Sequence, residues 1–157
     1  MTTIVLSNPN GRRARAQLPQ ISRLIKQLDD SGLSTHHEIS NSPREAEAFL
    51  SHLSLGVDDC LIIHGGDGTA QHAISTLLKS LRPSQLPILA ILPGGTTNMT
   101  ANAINSSRSL RRCLPRVETA LIHKDSISSQ PALRIKTADH TIHGFFFGVG
   151  AIVHGIR

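Results

Sequence analysis

The chain has 157 residues, room for one ordinary domain or for one domain and part of another. Hydrophobic residues make up 39%, which excludes a disordered chain, and the absence of Trp and Tyr excludes aromatic stacking platforms for single-stranded nucleic acid over most of the length. The net charge of +5 is uneven, with 6 basic and 8 acidic groups in residues 1–67 against 10 and 3 in residues 68–157, so the second part suits an anionic partner: a polyphosphate, an anionic lipid surface or nucleic acid.

Thr3 to Ser7 is a β-branched and aliphatic run that predicts a strand, and it stops at the turn cluster Asn8-Pro9-Asn10-Gly11. Leu18, Ile21, Leu24, Ile25 and Leu28 then follow helical spacing up to Gly32, with Pro19 expected in the first turn. A second strand is predicted over Leu33 to Ile39. A short helix carrying Ala46, Phe49, Leu50 and Leu53 should start at Asn41-Ser42-Pro43.

Asp59 to His64, with Leu61-Ile62-Ile63 at its centre, has the continuous apolarity of a central parallel strand and leads into Gly65-Gly66-Asp67-Gly68-Thr69. Ala73, Ile74, Leu77, Leu78 and Leu81 mark the next helix, closed by Pro83. Ile88 to Leu92 is a further buried strand, leading into Pro93-Gly94-Gly95-Thr96-Thr97-Asn98. Strands and helices alternating at this spacing predict an α/β fold: a three-layer, open, mostly parallel sheet with helices on both faces. Arg108, Arg111, Arg112 and Arg116 form the densest basic cluster and read as a solvated helix face beside Leu110 and Leu114.

Beyond about Pro115, Val117 to Ile122, Ala132 to Thr137 and Thr141 to Val153 read as successive strands opening an antiparallel β region. The predicted division is therefore an α/β domain over 1–115 and the beginning of a second, truncated β domain over 116–157. An unfinished apolar strand is an association hazard, so a homodimer or larger species through residues 132–157 is expected. No apolar stretch approaches the ~18 residues of a membrane span, and the N-terminus lacks a secretory pattern. Cys60 and Cys113 form no CxxC pair, the nine histidines show no metal spacing, and a cytoplasmic setting follows, peripheral at a membrane where the partner is lipid.

Two glycine loops at strand ends carry the chemistry. In open parallel sheets ligands bind beyond the carboxyl ends of the strands. Gly65, Gly66 and Gly68 let backbone amides approach phosphate oxygens, and Thr69 is expected to cap the following helix. Asp67 among those glycines would be repelled by phosphates unless a divalent cation joined them, which points to Mg²⁺. Gly94, Gly95, Thr96 and Asn98 supply a second cradle, and Asn8, Gly11 and Arg12 a third contact at the same edge. A purely conformational role for the glycines is the competing reading. Neither GxxxxGK[ST] nor GxGxxG occurs, so P-loop NTPases and dehydrogenases are excluded.

Gly65-Gly66-Asp67-Gly68-Thr69 followed by Pro93-Gly94-Gly95-Thr96-Thr97-Asn98 resembles the diacylglycerol kinase catalytic domain family, which includes bacterial lipid kinases and sphingosine kinases. Asn8-Pro9-Asn10-Gly11 is similar to that family's first loop, and Phe145 to Ala151 to the strand that opens its second domain. The resemblance implies an ATP-dependent lipid kinase fold that transfers the γ-phosphoryl group to a lipid hydroxyl of diacylglycerol or sphingosine type. ATP and Mg²⁺ would lie near Asp67, with Asn8 and Thr96 in the nucleotide site. The family's proposed base lies beyond Arg157, so no residue here takes that role and the segment alone is expected to be inactive. Gln71-His72 stands where the family has Asn-Glu, and Asn98-Met99 where it has Asn-Asp. A NAD kinase, which shares GGDGT, and a non-catalytic nucleotide or anionic-lipid binding module are the alternatives; a nucleic-acid role is not expected.

Overall fold

The computed structural model describes residues 1–105, 107–125, 127–139 and 141–145. Four parallel strands form the main sheet: β1 (Thr2–Ser7), β2 (Ser34–Ile39), β3 (Cys60–Gly65) and β4 (Ile88–Pro93), in the order β2-β1-β3-β4. Among the described residues five α-helices accompany them, α1 (Ala14–Asp30), α2 (Pro43–Ser51), α3 (Asp67–Ser80), α4 (Met99–Asn105) and α5 (Leu110–His123). A separate antiparallel pair follows, β5 (Leu133–Lys136) and β6 (Thr141–Gly144).

The period-2 alternation of each strand divides the core. Val5, Cys60, Ile62, Ala90 and Leu92 face one way and pack against Ile21, Leu24 and Leu28 of α1 and Leu110, Cys113, Val117 and Leu121 of α5. Ile4, Leu6, Leu61 and Ile63 face the other way, against Ala46 and Leu50 of α2 and Ala73 and Leu77 of α3. Every residue of β3 is buried, as its unbroken apolarity predicts for a strand covered on both faces. The result is the three-layer α/β sheet that the spacing predicts, with the start of an antiparallel region beside it.

Strand order reverses between β1 and β3, so the chain leaves their carboxyl ends toward opposite faces and opens a crevice there. Both specific loops, after Ser7 and after Gly65, sit on that crevice.

Three local expectations are corrected. Val117 to Ile122 is not a strand but the second half of α5. The buried positions Leu110, Cys113, Val117 and Leu121 repeat at helical intervals, and this packing overrides the β-branched residues and Pro115. Pro19 lies inside α1 rather than in its first turn, because the helix already begins at Ala14. Both prolines are exposed, and each leaves one backbone acceptor of its helix without an amide partner. Thr69 does not cap α3, because α3 begins at Asp67 with Gly66 as its cap residue. Of the long strand expected over Thr141 to Val153, β6 accounts for Thr141–Gly144 and residues 146–153 lie outside the described residues.

Candidate functional site

Three loops meet at the carboxyl edge of the sheet, and backbone hydrogen bonds lace them together. The Asn8 amide donates to the His64 carbonyl (2.9 Å), the Arg13 amide to the Gly94 carbonyl (3.0 Å) and the Gly94 amide to the Gly65 carbonyl (2.7 Å). The contacts are so close that glycine is required at particular points. A Cβ on Gly11 would stand 2.7 Å from the Gly94 oxygen, and one on Gly95 would stand 2.7 Å from the Gly66 Cα. Gly68 differs: a Cβ there would meet nothing within 4 Å, so no packing within the chain demands a glycine.

The side chains expected at the site divide into two groups. Some are spent on the loops themselves. Asn8 donates Nδ2–H to Thr69 Oγ1 (3.1 Å), and its Oδ1 accepts from the Asn10 amide (3.0 Å). Asn98 is buried in a left-handed conformation (φ 49°), where its Oδ1 accepts from the Gly95 amide (2.8 Å) and its Nδ2 donates to the Gly95 carbonyl (3.0 Å). Asn tolerates that backbone region better than most residues, and the paired bonds hold the second glycine loop in shape. Others face solvent: Arg12, Gly68 and Thr96 are exposed, and Gly66 and Thr69 are half-buried. The amides of Asp67, Gly68 and Thr69, forming the first turn of α3, have no intrahelical acceptor and lie at the positive end of the helix. That is an anion-binding geometry.

Asp67 joins the two glycine loops. Its Oδ2 accepts from Thr97 Oγ1 (2.6 Å) and its Oδ1 from the Thr100 amide (2.7 Å) at the start of α4. Burial pushes its carboxyl up, but the hydrogen bonds from Thr97, Thr100 and Met99 outweigh this and hold it below the usual carboxylate range. Beside it lies a cavity of about 30 Å³ lined by Asp67, Gln71, Thr100, Gly144 and Phe145. Its polar donors are oxygen-rich with a single carboxylate. Among the described residues no three His, Cys, Asp or Glu side chains gather into an all-protein metal cage. Such a donor set fits a Mg²⁺ ion that keeps its waters and takes its remaining ligands from phosphates.

Sequence reasoning missed a second polar cluster directly beneath these loops. Ser7 and His64 are opposite each other in the β1–β3 register, and both are fully buried. His64 Nδ1 lies 3.3 Å from Ser7 Oγ and Nε2 lies 3.0 Å from Gln17 Oε1, while His37 Nε2 lies 2.9 Å from Ser7 Oγ. Burial, reinforced by His37, pushes the His64 pKa down to about 4. His37 is likewise lowered, first by burial and then by His36, with Glu38 opposing. The signal available in sequence is a polar residue ending each of two apolar strands; it gives no indication that they meet.

The Diacylglycerol kinase catalytic domain model matches residues 2–128. Proteins named "Probable lipid kinase YegS-like" from Yersinia pestis (strain Pestoides F) and Yersinia pseudotuberculosis serotype O:1b (strain IP 31758) are each 30% identical over 96 residues, covering 61% of this chain and 32% of the relative. The chain thus spans about a third of their length. A crystal structure of a diacylglycerol kinase from Bacillus anthracis str. Sterne superposes with a TM-score of 0.58 over 75% of this chain and 39% of that one, at 20% identity, a likeness of fold. With the glycine loops on the strand-order crevice and the family model matching over most of its length, the chain belongs to the diacylglycerol kinase catalytic domain family.

Proposed function

We propose that this chain is the ATP-binding portion of a lipid kinase that transfers the γ-phosphoryl group of ATP to the hydroxyl of a diacylglycerol- or sphingosine-like lipid. The observation that supports it best is the convergence of the Asn8–Gly11, Gly65–Thr69 and Gly94–Asn98 loops on one crevice with the first turn of α3 open toward it. In this reading the α3 amides bind phosphate oxygens, Arg12 and Thr96 reach the outer phosphates from the rim, and the Asn8 and Asn98 side chains keep the loops in register. Asp67, with Gln71 and Thr100 alongside, would hold Mg²⁺, which would supply neutralisation of phosphate charge. Phosphoryl transfer asks chiefly for positioning and charge neutralisation, which these groups supply. The partners we propose are ATP, the acceptor lipid and an anionic membrane surface, with self-association through residues 132–157; nucleic acid is not among them.

A non-catalytic binding module is the second reading, and it has a specific observation behind it: both carboxylate oxygens of Asp67 already accept hydrogen bonds. Radiolabel transfer from ATP to diacylglycerol, sphingosine, phosphatidylglycerol and NAD separates the readings. The intact protein should label a lipid alcohol and Asp67→Ala should lose that activity by orders of magnitude. Label on NAD alone would overturn the lipid assignment, and nucleotide binding with no transfer would favour the module.

A further inference from the structure

We propose that His64 is a positioning residue for the phosphate-facing loops, acting through the buried chain His37, Ser7, His64, Gln17; the proposal rests on the nucleotide reading above. The four side chains lie on the α1 face of the sheet, at its carboxyl edge. Ser7 follows Val5 on that face, His64 follows Ile62, and His37 is the β2 partner of Val5. The apolar layer between the sheet and α1 therefore ends in a polar layer, and the loops start on top of it.

The chain has a consistent hydrogen order. His64 Nε2–H donates to Gln17 Oε1, His64 Nδ1 accepts from the Ser7 hydroxyl, and Ser7 Oγ accepts from His37 Nε2–H. Each hydrogen is used once, which requires the His64 ring to be neutral. Its surroundings ensure that. Ser7 from β1 and Gln17 from α1 carry no charge, β4 opposes it with Leu92, and His37 is the titratable group whose charge acts on it.

Every element that supplies the site is tied into this layer. Ser7 precedes Asn8, whose amide donates to the His64 carbonyl, so the loops after β1 and β3 are fastened by side chain and backbone at the same level. Gln17 lies in α1, one turn beyond Arg13, whose amide holds the Gly94 carbonyl of the third loop. A hydrophobic residue at 64 would fill the same space without directional bonds. The use of a histidine, paired at both nitrogens, makes the spacing of three loops depend on hydrogen-bond lengths rather than on packing alone.

The test uses the intact protein, Mg²⁺–ATP affinity by calorimetry and melting temperature. The double variant His64→Leu/Gln17→Leu removes both ends of one bond and leaves no orphaned partner at Gln17; the buried Ser7 hydroxyl loses its acceptor, so the fold should form but melt several degrees below wild type. Its ATP affinity should fall at least about tenfold. Ser7→Ala, which deletes two hydrogen bonds with one atom, should weaken ATP severalfold and decides the matter if the double variant does not fold. His64→Asn, which keeps an acceptor for Ser7, should recover most of the affinity. Wild-type affinity in both Ser7→Ala and a folded double variant would overturn the positioning role, as would His64→Asn performing no better than the double variant. Absence of ATP binding in the wild-type protein would instead overturn the nucleotide reading and this inference with it.

Discussion

Asp67 holds two loops together with the same carboxylate that borders the small cavity. Its substitution therefore acts on stability as well as chemistry: Asp67→Ala should lower unfolding free energy by about 1 to 2 kcal/mol through loss of the bonds to Thr97 and the Thr100 amide, an effect of helix-cap size. Asp67→Asn keeps an acceptor and should be stabler than the alanine variant by denaturant titration, yet as poor in transfer. His64 loses stability in acid as a carboxylate with a lowered pKa does, but in a higher pH window, because its unfolded value is that of an imidazole. With its folded pKa near 4 and an unfolded value of about 6.5, the unfolded chain takes up a proton in that interval and the folded chain does not. Stability from this group is thus complete above about pH 6.5 and is lost as pH falls toward 4, by about 3 kcal/mol. Denaturant midpoints across that window should drop in wild type and drop less in His64→Leu.

At the scale of elements, the glycines that pack can be told from the glycine that faces out. Gly95→Ala drives a Cβ into the Gly66 backbone, so the two glycine loops must separate and both melting temperature and ATP affinity should fall. Gly68→Ala has open space and helical backbone, so it should leave the melting temperature equal or higher, by up to about 1 kcal/mol of helix propensity, while still weakening ATP where phosphate oxygens need that space. Equal ATP affinity in Gly68→Ala and wild type would remove the first turn of α3 from the phosphate site. The strands β1, β3 and β4 and the loops after them are legible in sequence because unbroken apolar runs ending in glycine clusters admit few other readings. The helix α5 is not, because Val117, Ile122 and Pro115 argue locally for strand and only packing against α1 and β4 shows the helical face. The bond from Asp67 to Thr97 and the meeting of Ser7 with His64 are equally hidden, since register between distant segments decides them.

At the scale of the whole molecule, the two helices on one face of the sheet carry charge against local preference, whereas α2 and α3 begin with Glu45 and Asp67 in their first turns. The first turns of α1 and α5 contain no acidic residue, and Arg13, Arg15, Arg111 and Arg112 stand exposed near helix ends where the dipole favours carboxylates. Both helices cover the same face of the sheet. The anionic membrane partner proposed above can be tested on these arginines. The intact protein should co-sediment with vesicles containing phosphatidylglycerol and not with neutral ones, weaken as salt rises, and bind less as Arg111→Gln/Arg112→Gln. Equal binding to neutral vesicles would remove electrostatics from the association.

The burial of β3 has a consequence for how the site survives thermal opening. This strand is paired with a neighbour on each side and covered on both faces, whereas β5 and β6 form a two-stranded ribbon with Leu133 and Ile142 exposed. Amide hydrogens at Leu61 to Ile63 should therefore exchange with solvent deuterium only through the rarest openings, and those of the ribbon through frequent ones. The Gly65–Thr69 loop grows directly from the end of that slow-exchanging strand. Opening of the ribbon would release Gly144 from the cavity beside Asp67 and His143 from Ser75 of α3, while the loop itself stays anchored by β3.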